Sequence, residues 1–159
     1  MIELRQSRIE ELDFFHVMEQ DADTSAFILP YSLQRHRREF ERAEITYLSV
    51  YAHGKLSGFF ILKLDSDQDS VEFRRVVIAN KGLGFGQPAI TAMEEYCRDQ
   101  LMRNRVWLDV FEFNLRGRHI YEKLGYQRFD SVDLDGKNLL LYEKNIKRSD
   151  ASETSSPMT

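Results

Sequence analysis

A single cysteine, Cys97, occurs in the 159 residues, so no internal disulfide can form and a reducing, cytoplasmic setting is expected. Long apolar runs are also missing: nothing approaches the roughly 18 residues that a membrane helix needs, so no membrane partner is expected. Met1-Ile2-Glu3-Leu4-Arg5 shows no charged-then-apolar leader. Basic excess is absent as well. A net charge of −4 and a pI near 5.6 argue against a nucleic-acid partner and slightly favour a cationic small molecule. The histidines, His16, His36, His53 and His119, have no metal-ligand spacing, and Cys97 is not near one in sequence, so no metal is expected. A serine nucleophile elbow and an internal repeat are both lacking.

What is present reads as one domain with a sizeable core, since 42% of the residues are apolar and 30% charged. Residues 2–6 suggest a strand. Ser7 and Glu10 suggest a capping box for a helix whose apolar side is Ile9, Leu12, Phe15 and Val17 or Met18. Ser32 could cap a second helix with Leu33, His36 or Arg37, and Phe40 on one face. Strands follow at Ile45–Tyr51, Leu56–Leu64 and Val71–Ile78. Ile90, Met93, Cys97 and Leu101 recur at helical spacing, with Glu94, Glu95, Arg98 and Asp99 on the other faces. Arg105–Phe111 reads as a strand in which Trp107 packs. A helix over Arg116–Leu124 stops at Gly125, and Gln127–Leu134 and Leu139–Lys144 read as a final strand pair. The order β-α-α-β-β-β-α-β-α-β-β implies an α+β fold with a mixed, mostly antiparallel sheet and helices on both faces. That domain spans 1–148, and the polar segment 149–159 lacks the apolar content to pack.

The chemistry begins at Lys81-Gly82-Leu83-Gly84-Phe85-Gly86-Gln87, between the strand Val76-Val77-Ile78 and the next helix. The first backbone N–H groups of a helix lack intrahelical partners, and glycines let a phosphate come close to them. A Walker A loop is excluded, because Gln87-Pro88 follow where Lys and Ser or Thr belong. The dinucleotide fingerprint stays open: Gly84-Phe85-Gly86-Gln87-Pro88-Ala89 fits it, with Asp109 as its distant acid. About eighty residues of a different pattern precede it, however, and Asp109 falls inside a strand rather than at its end. A plain turn is the remaining reading.

Asn114, Tyr121, Gly125 and Tyr126 complete a second pattern: asparagine, tyrosine seven residues on, then glycine and an aromatic. With the glycine loop, this resembles the GCN5-related N-acetyltransferase (GNAT) superfamily, whose phosphate loop reads Gln/Arg-x-x-Gly-x-Gly/Ala. Lys81 departs from that pattern but keeps a basic residue. The likeness is best over residues 70–130, and the element order fits the chain up to 146. It implies the acyl-CoA N-acyltransferase fold and acetyl-CoA as acyl donor, with no metal. By the same resemblance, Val76, Val77 and Ile78 would pair with the pantetheine amides, and Gly82, Leu83, Gly84, Phe85, Gly86 and Gln87 would hold the pyrophosphate beside Lys81. Asn114 would bind the pantetheine arm, Arg116 would lie near it, and Tyr121 would protonate the departing thiolate.

The reaction implied is direct attack of a primary amine on the thioester. An amine with a pKa near 10.4 must first lose a proton, which costs roughly 4 to 5 kcal/mol at neutral pH. Glu72 is the carboxylate the resemblance offers for this, sharing a strand face with Arg74 and Val76 if that strand is regular. By the same resemblance, Glu19, Asp21, Asp23 and Glu112 are further candidates for contact with the acceptor. The acceptor could be a small-molecule amine or a protein amine, and dimers are common in the family, which leaves a homodimer open. A non-catalytic acyl-CoA-binding module of the same fold is the alternative, although such a module has no chemical need for the Tyr121 phenol.

Overall fold

Period-two alternation dominates the sequence, and seven strands form one sheet in the order β1-β2-β3-β4-β5-β7-β6. The computed structural model describes residues 1–21, 30–79 and 84–147. In chain order these are β1 (Ile2–Gln6), a 3-10 turn (Ile9–Glu11), α1 (Leu12–Glu19), α2 (Leu33–Phe40), β2 (Ile45–Ala52), β3 (Lys55–Leu64), β4 (Ser70–Ile78), α3 (Gly86–Asp99), β5 (Arg105–Phe111), α4 (Leu115–Lys123), β6 (Gln127–Leu134) and β7 (Lys137–Asn145). Every neighbouring pair is antiparallel except β4 and β5, which run parallel through the α3 crossover. The expected mixed α+β fold is therefore the one adopted. The segment 149–159 lies outside the described residues.

Strand alternation sorts the apolar side chains onto two faces. On the first face Phe60, Leu62, Val71, Phe73, Val106, Leu108, Val110 and Leu140 pack against Ala89, Ile90, Met93 and Cys97 of α3. Cys97 is thus core, as its position in the apolar stripe suggested. On the second face Tyr47, Phe59, Ile61 and Val77 pack against Leu12 and Phe15 of α1, with Phe15 stacked on Phe59 at 4.3 Å between ring centroids.

Three local expectations are corrected. Ser7 does not cap the first helix; its hydroxyl bonds Ser49 Oγ at 2.7 Å, and Glu11 instead accepts from the Arg8 amide at 2.9 Å. Ile9 and Val17 are exposed, so the buried stripe of that helix narrows to Leu12 and Phe15. Glu94 is buried rather than on an open face, held by the Tyr126 hydroxyl at 2.8 Å and Lys144 at 2.8 Å. Ser32 caps α2 as expected, accepting from the Arg35 amide at 3.1 Å.

Candidate active site

β4 and β5 pair only where Ser70, Val71 and Glu72 face Arg105, Val106 and Trp107. Beyond that point β4 continues with β3 as far as Ile78, and β5 continues with β7 as far as Phe111. The sheet therefore opens into a wedge, and over residues 73–78 the outer backbone edge of β4 has no strand partner among the described residues. Unpaired backbone groups at such an edge can be met by amides of an extended ligand. Val76, Val77 and Ile78 lie on it.

β4 is not a regular strand. Leu62 faces Phe73 and Ile61 faces Arg75, so Arg74 has no opposite residue and forms a bulge. The expected common face for Glu72, Arg74 and Val76 is corrected by that extra residue. Val76 turns to the α3 side and packs with the first core, whereas Arg74 stays on the other side, its guanidinium 3.0 Å from Glu72 and 3.6 Å from Glu39 of α2.

The N-terminus of α3 borders the wedge. Phe85 precedes it, no side chain caps it and its first turn holds no acidic residue. Pro88 sits in that first turn, where its missing N–H costs no hydrogen bond. Among the described residues, a Cβ at Gly84 or Gly86 would meet nothing within 4 Å; Gly84 stands at φ +80°, a backbone conformation that itself calls for glycine, whereas the packing does not require one at Gly86. The amides of Gly86 and Gln87 and the positive end of the helix dipole suit an anion. Lys81, Gly82 and Leu83 lie outside the described residues.

α4 supplies the opposite wall. Asn114 caps it, accepting from the Gly117 amide at 2.9 Å. A Cβ at Gly117 would stand 2.7 Å from Asn114 Nδ2, so glycine is what lets the asparagine fold over the helix end. Asn114 Oδ1 is thus engaged within the protein. Arg116 is exposed one residue into the helix. Gly125 follows the last turn at φ +100°, a left-handed conformation that ends the helix. Tyr121, half-buried, meets Phe73 edge-on at 5.9 Å and Tyr126 at 5.9 Å. Phe73 is the first β4 residue past the paired stretch, so the phenol stands at the mouth of the wedge. Burial, reinforced by the negative charge of Asp109, pushes the Tyr121 hydroxyl up to about 12, and it stays protonated throughout the neutral range.

The expected acceptor carboxylates fare differently. Glu19 is fully buried, bonded to His36 Nε2 at 2.6 Å, to the Tyr31 amide at 3.2 Å and to Arg75. His36 in turn meets the Tyr47 hydroxyl at 2.7 Å. Asp21 and Glu112 are exposed, and Asp23 lies outside the described residues. Asp109 is the acid that the sequence suggested only for the dinucleotide reading. It alternates with buried Val106, Leu108 and Val110, so it projects with Trp107 from the side of the sheet opposite α3. That alternation was the available signal. Trp107 donates to Asp65 Oδ2 at 2.7 Å and lines an open groove of about 690 Å³ with Asp65, Asp67, Arg105, Phe129 and Leu141.

Comparison with known proteins gives the same outline. The family model described as "Acetyltransferase (GNAT) family" matches residues 8–126. A spermine/spermidine N(1)-acetyltransferase of Bacillus subtilis is 25% identical over 104 residues, covering 60% of this chain and 68% of that protein. Among solved structures, a spermidine N-acetyltransferase from Vibrio cholerae in complex with CoA and spermine superposes with a TM-score of 0.78 at 20% identity, covering 91% of this chain and 95% of that one. An identity that low speaks for the fold alone.

Proposed function

Because the chain belongs to the acetyltransferase (GNAT) family, we propose that it moves the acetyl group of acetyl-CoA directly onto a primary amine, with a polyamine as the acceptor. The observation that carries this is the wedge between β4 and β5, bordered by the uncapped start of α3 on one side and by Tyr121 on the other. The donor would lie along the free edge of β4, its phosphates at the amides of Gly86 and Gln87 and its thioester beside Tyr121. Arg116 is free to meet the outer part of the donor. The amine nitrogen attacks the carbonyl carbon, the C–S bond breaks, and the Tyr121 hydroxyl donates to the sulfur that leaves.

Several features support a multiply charged acceptor. The chain is acidic overall, with a net charge of −4, and Glu72 and Asp109 face the wedge from the side away from α3. The groove at Trp107 continues on that side, where Glu44, Asp65 and Asp67 stand with Lys63 and Arg105, so its charge is mixed and the wedge carboxylates are the groups that favour a cation. The matched relative from Bacillus subtilis carries spermine and spermidine in its name.

The test is release of free thiol from acetyl-CoA across a panel of amines that includes spermine, spermidine, amino acids and a lysine peptide. Polyamines should give the highest kcat/KM. Tyr121→Phe should lower kcat about 10² to 10⁴-fold while CoA still binds by calorimetry. Normal turnover in that variant would remove Tyr121 from the reaction, and activity confined to the peptide would remove the polyamine.

A further inference from the structure

Resting on that acetyl-transfer reading, we infer that Asp109 of β5 is the carboxylate that takes the proton from the acceptor's ammonium group. Its placement follows from the wedge. Glu72 faces Trp107 across the last paired step, and Asp109 is the next β5 residue on that same side, the first beyond the point where the strands part. It lies opposite Leu141 of β7. Tyr121 reaches the wedge from the α3 side and Asp109 from the other, so acid and base stand on the two sides of one opening.

Availability separates Asp109 from Glu72. The Glu72 side chain is 15% exposed and carries the Arg74 guanidinium at 3.0 Å. That carboxylate is already engaged in an ion pair within the protein. Asp109 is exposed and makes no hydrogen bond or ion pair among the described residues. The groups facing it are Glu72 and Arg74 from β4 and Tyr121 from α4, while β7 presents Leu141. Although the residue as a whole is exposed, these neighbours strip part of the water from its carboxylate end; that desolvation, then the negative charge of Glu72, raises its proton affinity above that of an ordinary aspartate, and Arg74 offsets only part of this. A base moved toward neutrality is the more effective one.

The step balances without any other reactant. The ammonium gives one proton to the Asp109 carboxylate, directly or through a water, and the nitrogen lone pair forms the new C–N bond. The C–S electrons leave on sulfur, which takes the Tyr121 proton. The phenolate recovers a proton as the amide nitrogen loses its second one, and Asp109 releases its own to solvent. Ammonium and thioester become acetamide, free thiol and one proton.

The experiment measures kcat/KM for spermidine against pH in the wild type, Asp109→Asn, Asp109→Glu and Glu72→Gln. CoA binding and thermal melting serve as checks that each variant is folded. Asp109→Asn should lose about 100-fold at neutral pH, and its deficit should shrink as pH climbs toward the amine's own pKa near 10.4, where bulk water supplies the free amine. Asp109→Glu should recover part of the loss. A deficit that stays constant with pH, or a Glu72→Gln loss that exceeds and replaces it, would overturn the assignment. A wild type that releases no thiol with any amine would instead bring down the acetyl-transfer reading, and this inference with it.

Discussion

On the side of the sheet away from α3, β2 to β4 lie beneath α1 and α2, whereas β5, β7 and β6 have no helix over them among the described residues. The covered half spends its polar groups on one another. Glu19, His36, Tyr47 and Arg75 form a closed network under the helices, and the rings of Phe15, Tyr47 and Phe59 stack around it. In the bare half Phe129, Val132 and Leu134 stay exposed, and Asp109 keeps its carboxylate unpaired. Two carboxylates on one side of one sheet thus have opposite surroundings. Where every acceptor already has its donors, the arrangement contributes stability; where one is left without, it can serve a ligand.

The largest effect should come from breaking the covered half. Glu19→Ala leaves His36 and Arg75 buried without their shared anion, and loss of one partner in such a network costs about 3 to 5 kcal/mol. Chemical denaturation should show this at pH 7. The penalty is also pH-dependent. Burial opposes ionisation of Glu19, but the hydrogen bonds from His36 and Arg75 outweigh it and lower the carboxyl below its ordinary 4.5. A lowered folded-state pKa stabilises above the unfolded value, and that stability is lost as pH falls through the folded one. The gap between wild type and Glu19→Ala should therefore narrow below about pH 4.5. A gap independent of pH would mean that Glu19 contributes packing volume rather than charge.

Phe129→Ala probes the bare half in the same way. Phe129 is 43% exposed, with the Arg105 guanidinium 5.1 Å from its ring centroid. Its loss should cost no more than about 1 kcal/mol in the same denaturation experiment, in contrast with the 3 to 5 kcal/mol of a fully buried phenylalanine such as Phe15. A cost near that of Phe15 would show that something covers this face in solution, and the contrast between the halves would fail.

The two halves were not equally legible in the sequence. Element order, the caps at Ser32 and Gly125, and the α3 stripe of Ile90, Met93 and Cys97 all follow from local periodicity and local chemistry, which act over a few residues. The network around Glu19 does not, because His36 and Arg75 reach it from separate elements and no short pattern joins them. The bulge at Arg74 was hidden for a related reason. It depends on how β4 registers against β3, and it reverses the face on which Val76 stands relative to Glu72. Asn114, Tyr121 and Gly125 were legible because they sit on one short helix with fixed spacing. Asp109 comes near Tyr121 only through the parting of two strands, a feature of the pairing rather than of the chain.

The smallest effect is the most discriminating. Asp109 holds its proton more tightly in the folded protein than an ordinary aspartate does, chiefly because partial desolvation of its carboxylate end, and then Glu72, disfavour the charge. A raised folded-state pKa means that stability falls as pH rises from the unfolded value, near 3.8, through the folded one. At pH 7 the ionised carboxylate therefore works against the fold, and Asp109→Asn should relieve it. Since the side chain is exposed and solvent screens much of the interaction, the gain should stay within about 0.5 kcal/mol. It should vanish below about pH 3.8, where both proteins are neutral at this position. Careful melting curves at pH 7 and pH 3.5 would measure the difference. A variant that gains stability while losing turnover fits a residue retained for chemistry at the expense of the fold. If Asp109→Asn instead melts earlier at pH 7, the carboxylate has a favourable partner in solution, and the unpaired acid that distinguishes the bare half from the covered one does not exist.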